Sequence, residues 1–99
     1  MPEGPAQAQT PASAVTDADV ALYQRNLEDG CKESGRESGT PTEETAAFCG
    51  CLVNTLRKEM SHAEWQQAFL FASNRQHQEE SRVIGAHSQK AVACRNATP

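Results

Sequence analysis

Features that identify several common classes of protein are missing from this sequence. No apolar run approaches the roughly 20 residues that cross a bilayer as a helix. The longest basic run is the pair Arg57 and Lys58, and 13 acidic against 9 basic residues give a formal net charge of -4. Without a basic face, nucleic acid and anionic membranes are not expected as partners.

Sequence signatures of catalysis are missing as well. The chain contains no glycine-rich phosphate loop, no serine nucleophile elbow, no His/Glu metalloprotease pair and no Cys-x-x-Cys redox spacing. The acidic pairs Glu43-Glu44 and Glu79-Glu80 fall near predicted helix starts, where the helix dipole favours them. We therefore expect a non-enzymatic protein that uses no cofactor.

The first 15 residues are rich in Pro, Ala and Gln and contain no periodic apolar pattern. We expect residues 1–15 to be a disordered segment, as at the start of a mature exported protein whose signal peptide is not part of this chain. The expected location is therefore periplasmic or secreted. The alternative is a cytoplasmic protein with a polar tail.

Helical periodicity fills residues 16–95, and alternation typical of strands is absent. Thr16 or Asp17 caps a first helix that we expect to end at Cys31. The following stretch, 32–39, repeats Glu-Ser-Gly and is predicted to be a mobile loop. Residues 96–99 are predicted to be a frayed tail.

Three further helices are predicted. Thr40, with Pro41 and Glu43, reads as a capping box that opens the second helix, which runs to about residue 59. A second box, Ser61 with Glu64, opens the third helix. Asn74 is a natural left-handed stop, and a last helix is placed at about 78–94. These patterns predict an all-α bundle of three to four helices.

Four cysteines, placed at helix ends and on the second helix, predict two disulfides. Cys49 and Cys51 lie about 200° apart around their helix, so they face different neighbours and do not bond each other. Two pairings remain open. We favour Cys31–Cys51 with Cys49–Cys94, because the central face of the second helix should meet the terminal helix; the alternative is Cys31–Cys49 with Cys51–Cys94.

Metal binding is the rival hypothesis for the same cysteines. Cys49 and Cys51, with Met60 and His87, form a possible ligand set for Cu(I) or Zn(II). The two sulfurs of Cys-x-Cys diverge on a helix, however, and the paired Cys-x2-Cys spacing of structural zinc sites is absent. We therefore expect no metal, and keep a metal carrier as the alternative function.

The third helix is unusually apolar for a chain with only 5% aromatic residues. Part of this surface is a candidate interface for a protein partner or a second copy of the chain. The competing interpretation is that a four-helix core buries all of it. The candidate interface residues are Trp65, Phe69, Leu70 and Phe71.

One resemblance covers about half of the chain. The segment from Phe48 through Cys49 and Cys51 to Leu56, with the Ser61 helix start and Cys94, resembles small exported helical proteins of proteobacteria. These proteins carry a Phe/Tyr-Cys-x-Cys motif and have no assigned activity. The resemblance implies an oxidising compartment. We therefore expect an exported module that binds a protein or associates with the cell envelope.

Overall fold

The computed structural model describes residue 11 and residues 14–96. Four α-helices are followed by a 3-10 segment, and the described residues contain no strand, which confirms the predicted all-α bundle. The predicted disordered segment and frayed tail fall mostly on residues outside the described ranges. No helix in those ranges is long and apolar enough to cross a membrane. The elements are α1 (Asp17–Glu37), α2 (Thr42–Glu59), α3 (His62–Ser73), α4 (His77–Ser88) and the 3-10 segment (Gln89–Asn96).

Two capping boxes open α1 and α3. The Thr16 hydroxyl accepts from the Asp19 amide at 3.0 Å, and the Asp19 carboxylate accepts from the Thr16 amide at 3.0 Å. Ser61 and Glu64 make the same reciprocal pair at 3.1 and 2.9 Å. Each box satisfies two amide groups that a helix start leaves unpaired, so both helices begin where short-range sequence signals place them.

The prediction that the first helix ends at Cys31 was wrong. α1 continues to Glu37, so most of the predicted loop is helical. Gly39 has φ of +80°, and the Thr40 amide donates to the Gly35 carbonyl at 3.0 Å, which is the hydrogen bond of a Schellman motif. The stretch is held as helix because it packs against α2, a contact that local sequence does not reveal.

The predicted capping box of the second helix was also wrong. The N-cap of α2 is Pro41, which makes no side-chain cap, and the helix starts at Thr42. Thr40 does not cap α2 because Pro41, with ψ of 140°, is not helical and separates Thr40 from the first helical residue. The Thr40 amide instead closes the end of α1. The predicted end at Glu59 is confirmed.

The last part of the chain departs from the predicted helix over 78–94. The left-handed residue is Arg75, with φ of 59°, whereas Asn74 has φ of −95°. α4 ends at Ser88, and the chain then tightens into the 3-10 segment. With about three residues per turn, this segment presents Ala91 and Cys94 on one side, where both are buried.

α1 and α2 form an antiparallel hairpin. Residues late in α1 contact residues early in α2, and residues early in α1 contact residues late in α2. Gly35 packs against Thr45, Cys31 is bonded to Cys49, and the Gln24 side chain accepts a hydrogen bond from Arg57 Nε at 3.1 Å. A Cβ on Gly35 would lie only 2.3 Å from Thr45 Cγ2. Glycine at this position therefore permits the close approach of the two helices.

The hydrophobic core lies where the start of α1 and the end of α2 meet α3 and α4. Tyr23 is at its centre, with Trp65 and Phe69 edge-on to its ring at centroid distances of 6.1 Å each. Because the core occupies this end, the opposite end of the hairpin relies on fewer apolar contacts. The buried members of the core are Val15, Val20, Tyr23, Leu56, Met60, Trp65 and Ala68.

Candidate functional site

The four cysteines form two disulfides. Cys31 is bonded to Cys49, and Cys51 is bonded to Cys94, with Cα–Cα distances of 5.8 and 5.6 Å. The pairing that we favoured, Cys31–Cys51 with Cys49–Cys94, was wrong, and the alternative is the one observed. The reason is that the face of α2 that carries Thr45 and Cys49 lies against α1, whereas Cys51 faces the terminal segment.

The Cys31–Cys49 bridge lies in a concavity of the described part of the chain. This groove, which we call the α1–α2 groove, runs between the end of α1 and the start of α2 and has a volume of about 560 Å³. The volume falls within the range of about 300 to 1,000 Å³ that is usual for ligand pockets. The bridge and the half-buried Phe48 supply its apolar part, and its other main lining residues are Ser34, Thr40, Glu44 and Arg95.

One acidic and one basic residue, Glu44 and Arg95, line the α1–α2 groove. Glu44 lies one helical turn before Phe48 on α2. Arg95 follows Cys94, and Cys94 is bonded to Cys51, which is three residues after Phe48. Both charged residues are exposed. The second disulfide therefore brings the backbone of Arg95 to a groove whose apolar part contains the first disulfide.

Among the residues that the structure describes, one buried hydroxyl beside the α1–α2 groove has no hydrogen-bond partner. Thr45 is 6% exposed, and its Oγ1 is the unsatisfied side-chain atom of the described, non-exposed residues. Burial of a hydroxyl without a partner costs about 1 to 3 kcal/mol. The close approach of α1 at Gly35 covers this atom.

The candidate interface residues of α3 are used mostly for the core. Trp65 is 4% exposed, and Phe69 and Leu70 pack against the buried cluster. Phe71 is half-buried and is not among the residues packed on the core. The structure thus gives Trp65 a structural position and leaves Phe71 partly exposed.

The candidate metal ligands are not brought together. The sulfurs of Cys49 and Cys51 are consumed in separate disulfides. Met60 is buried in the core, and His87 Nε2 is 2.9 Å from Glu64 Oε2. Among the described residues, no cluster of three His, Cys, Asp or Glu side chains could hold a metal ion.

Two polar pairs connect helices around the core. The hydrogen bond from His87 and the Ser61 amide hold the pKa of Glu64 below its ordinary value. Tyr23 donates its hydroxyl to Glu80, and burial, with the adjacent carboxylate, raises the pKa of that tyrosine well above its usual value. These pairs tie α3 to α4 and α1 to α4, and both have structural roles.

Sequence reasoning missed most of the α1–α2 groove. The sequence places Arg95 at the end of the helical domain and predicts a loop at Ser34. The sequence does carry a signal for Arg95. It is adjacent to Cys94, and a disulfide restricts the positions of the residues beside each cysteine. The exposed apolar residues Leu22 and Val92, 50% and 54% exposed, were also not singled out.

Comparisons with protein-family models, curated proteins and solved structures find no match to this chain.

Proposed function

We propose that this chain is a non-enzymatic, exported module that binds a protein partner in the α1–α2 groove. The observation that carries the proposal is the groove itself: an apolar centre made by Phe48 and the Cys31–Cys49 bridge, with charged and hydroxyl-bearing residues around it. Such a combination of apolar anchor site and polar rim is typical of protein-binding surfaces.

The proposed location is an oxidising compartment outside the cytoplasm, periplasmic or extracellular. Its support is the use of all four cysteines in two disulfides, because such bridges persist in oxidising compartments and are rare in the cytosol. A function at the cell envelope agrees with this location. The metal-carrier alternative requires free thiolate ligands, whereas all four cysteines are used in the two disulfides.

A photo-crosslinking experiment in the source organism tests the binding function. A photoreactive benzoylphenylalanine replaces Ser34, which lines the α1–α2 groove, in the full disulfide-bonded chain. The matched control carries the same group at Ser88, which is exposed at the end of α4 away from the groove. We expect one discrete protein adduct from position 34 that position 88 does not give.

A second variant connects the adduct to the apolar centre. Phe48→Ser removes the aromatic ring from the groove, and Phe48 lies outside the main core cluster. We expect this change to abolish the adduct while the thermal unfolding curve stays cooperative. Adducts that are identical at positions 34 and 88, or that persist in Phe48→Ser, contradict the proposed binding site.

A further inference from the structure

The two disulfides differ in their surroundings. Cys31 and Cys49 both line the α1–α2 groove, whose volume of about 560 Å³ can admit a small molecule or a side chain. Cys31 is partly exposed, whereas Cys49 is fully buried at 0% exposure. A thiol that enters the groove therefore reaches the bridge at Cys31.

The second bridge is enclosed by packed residues. Neither Cys51 nor Cys94 lines the α1–α2 groove. Cys51 is partly exposed, but Cys94 is 2% exposed, and the Thr55 hydroxyl lies 3.7 Å from its sulfur. Ala91, on the same 3-10 segment as Cys94, is buried as well. Opening of this bridge therefore requires buried residues of the 3-10 segment to leave their sites.

The hairpin end that Cys31–Cys49 closes has few other buried contacts. The buried residues of α1, Val20 and Tyr23, belong to the core at the opposite end. On α2 the buried residue before Cys49 is Thr45, whose hydroxyl has no hydrogen-bond partner among the described residues. Isolated helices shorter than about 12 to 15 residues are marginal in water, so residues 24–37 depend on this bridge to stay helical.

We propose that the Cys31–Cys49 bridge is a site of thiol–disulfide exchange: a dithiol that enters the α1–α2 groove reduces it while Cys51–Cys94 stays oxidised. Exposed disulfides are the labile ones in proteins, whereas enclosed structural bridges resist reduction. The inference concerns the bridge itself and holds whether or not the groove binds a protein partner.

The exchange takes place in two steps. A thiolate of the dithiol attacks Sγ of Cys31, the Cys31–Cys49 bond breaks, and Cys49 leaves as a thiolate that is protonated from solvent. The second thiolate of the reductant then attacks the reductant's own sulfur in the mixed disulfide and releases Cys31, which is protonated in turn. Two electrons pass from the dithiol to the protein, and the dithiol becomes a disulfide.

Reduction at this site opens the hairpin end and leaves the core folded. The core around Tyr23 lies at the other end of the hairpin, and the Cys51–Cys94 bond still ties the 3-10 segment to α2. The partly exposed ring of Phe48 loses the cover that the groove gives it. The redox state of one bridge thus controls how much apolar surface the protein presents.

Timed reduction with dithiothreitol tests the site. The full, oxidised chain is treated under native conditions, quenched with N-ethylmaleimide and digested with trypsin. Label on peptide 26–32 reports Cys31, and label on peptide 91–95 reports Cys94. We expect peptide 26–32 to be labelled at least about tenfold faster, because local opening takes less free energy than unfolding of packed segments. In concentrated urea, where both bridges are exposed, the two rates should converge.

A pair of tryptophan variants tests access through the groove. Ser34→Trp adds a large side chain to the groove lining, and Ser88→Trp adds the same side chain at the end of α4. We expect Ser34→Trp to slow the labelling of Cys31 at least about threefold relative to Ser88→Trp, because exchange depends on access to the sulfur. Equal rates for the two bridges in the native chain, or earlier labelling of Cys94, overturn the proposal. Unequal rates that Ser34→Trp does not change overturn the route through the groove.

Hydrogen exchange of the chain alkylated at Cys31 and Cys49 supplies a second measurement. We expect the amides of residues 33–37 to lose protection relative to the oxidised chain, while those of residues 65–70 in α3 keep theirs. Unchanged protection at 33–37, or equal loss in both segments, contradicts an opening confined to the hairpin end.

Discussion

Gly35 has no room for a side chain between α1 and α2. A Cβ at this position would lie 2.3 Å from Cγ2 and 2.6 Å from Oγ1 of Thr45, both on the buried side of α2. We expect Gly35→Ala to lower the free energy of unfolding by about 1 to 3 kcal/mol, the usual cost of overpacking. Chemical denaturation monitored by circular dichroism measures this change.

Gly30 provides the matched control, because it lies in the same helix and a Cβ there meets nothing within 4 Å. Gly30→Ala should raise the free energy of unfolding by about 0.5 to 1 kcal/mol, since alanine favours a helix interior more than glycine does. Equal effects of the two substitutions would show that α1 and α2 do not approach closely at Gly35.

The unpartnered hydroxyl of Thr45 predicts a substitution that stabilises the chain. Thr45→Val keeps the branched shape and removes a buried group without a hydrogen-bond partner, so we expect a gain of about 1 kcal/mol. Thr55→Val is the comparison, because the Thr55 hydroxyl donates to the Cys51 carbonyl at 2.8 Å. In thermal unfolding, Thr45→Val should melt at a higher temperature than the native chain, and Thr55→Val should melt at no higher temperature than the native chain. The reverse order would mean that the Thr45 hydroxyl has a hydrogen-bond partner in solution.

Among the helices, α3 and α4 are connected by a carboxylate with two partners. Glu64 completes the cap of α3 and pairs with His87 of α4, and these contacts lower its pKa. A carboxyl with a lowered pKa in the folded chain contributes stability above its ordinary pKa of 4.5, and this contribution is lost as the pH falls through the folded value.

Glu64→Gln should therefore lower the melting temperature at pH 6, and the difference from the native chain should narrow below pH 4.5. Glu79→Gln, which changes a carboxyl in the first turn of α4, is the control for general charge effects. Thermal melts across this pH range measure both differences. A gap between native and Glu64→Gln that stays constant with pH would contradict the role assigned to the Glu64 carboxylate.

Helix boundaries were predictable where the signals are local. The starts of α1 and α3 follow from capping residues three positions apart, so short-range sequence is sufficient. The end of α1 and the last helix were not predictable in this way. α1 continues past Cys31 because Gly35 packs on α2, and the chain after Ser88 follows the bond between Cys94 and Cys51. Both depend on partners distant in sequence.

At the scale of the whole molecule, the two disulfides close loops of different lengths. Cys51–Cys94 spans 43 residues and Cys31–Cys49 spans 18. In the chain-entropy model these loops correspond to about 4 and 3 kcal/mol. We expect Cys51→Ala with Cys94→Ala to lower the free energy of unfolding more than Cys31→Ala with Cys49→Ala. Urea denaturation of the two double variants tests the order; a larger loss from the shorter loop would show that the Cys31–Cys49 bridge stabilises chiefly through the folded hairpin.

The candidate site was only partly predictable for a related reason. The number of cysteines and the divergence of Cys49 from Cys51 predict two bridges from α2 to two different neighbours. Which neighbour takes which cysteine depends on the face that α2 turns to α1, and that face is set by tertiary packing. The groove depends on the same choice, because the Cys51–Cys94 bond brings Arg95 to its edge.

The pairing of the cysteines is the central claim, and fragmentation of the unreduced chain tests it directly. Trypsin gives three linked peptides: 26–32 with Cys31, 37–57 with Cys49 and Cys51, and 91–95 with Cys94. Electron-transfer dissociation at Gly50 then separates the two cysteines of the middle peptide. We predict that the fragment ending at Cys49 carries peptide 26–32 and that the fragment containing Cys51 carries peptide 91–95. The exchanged masses, with peptide 91–95 on Cys49, or free thiols at these positions, would contradict the account.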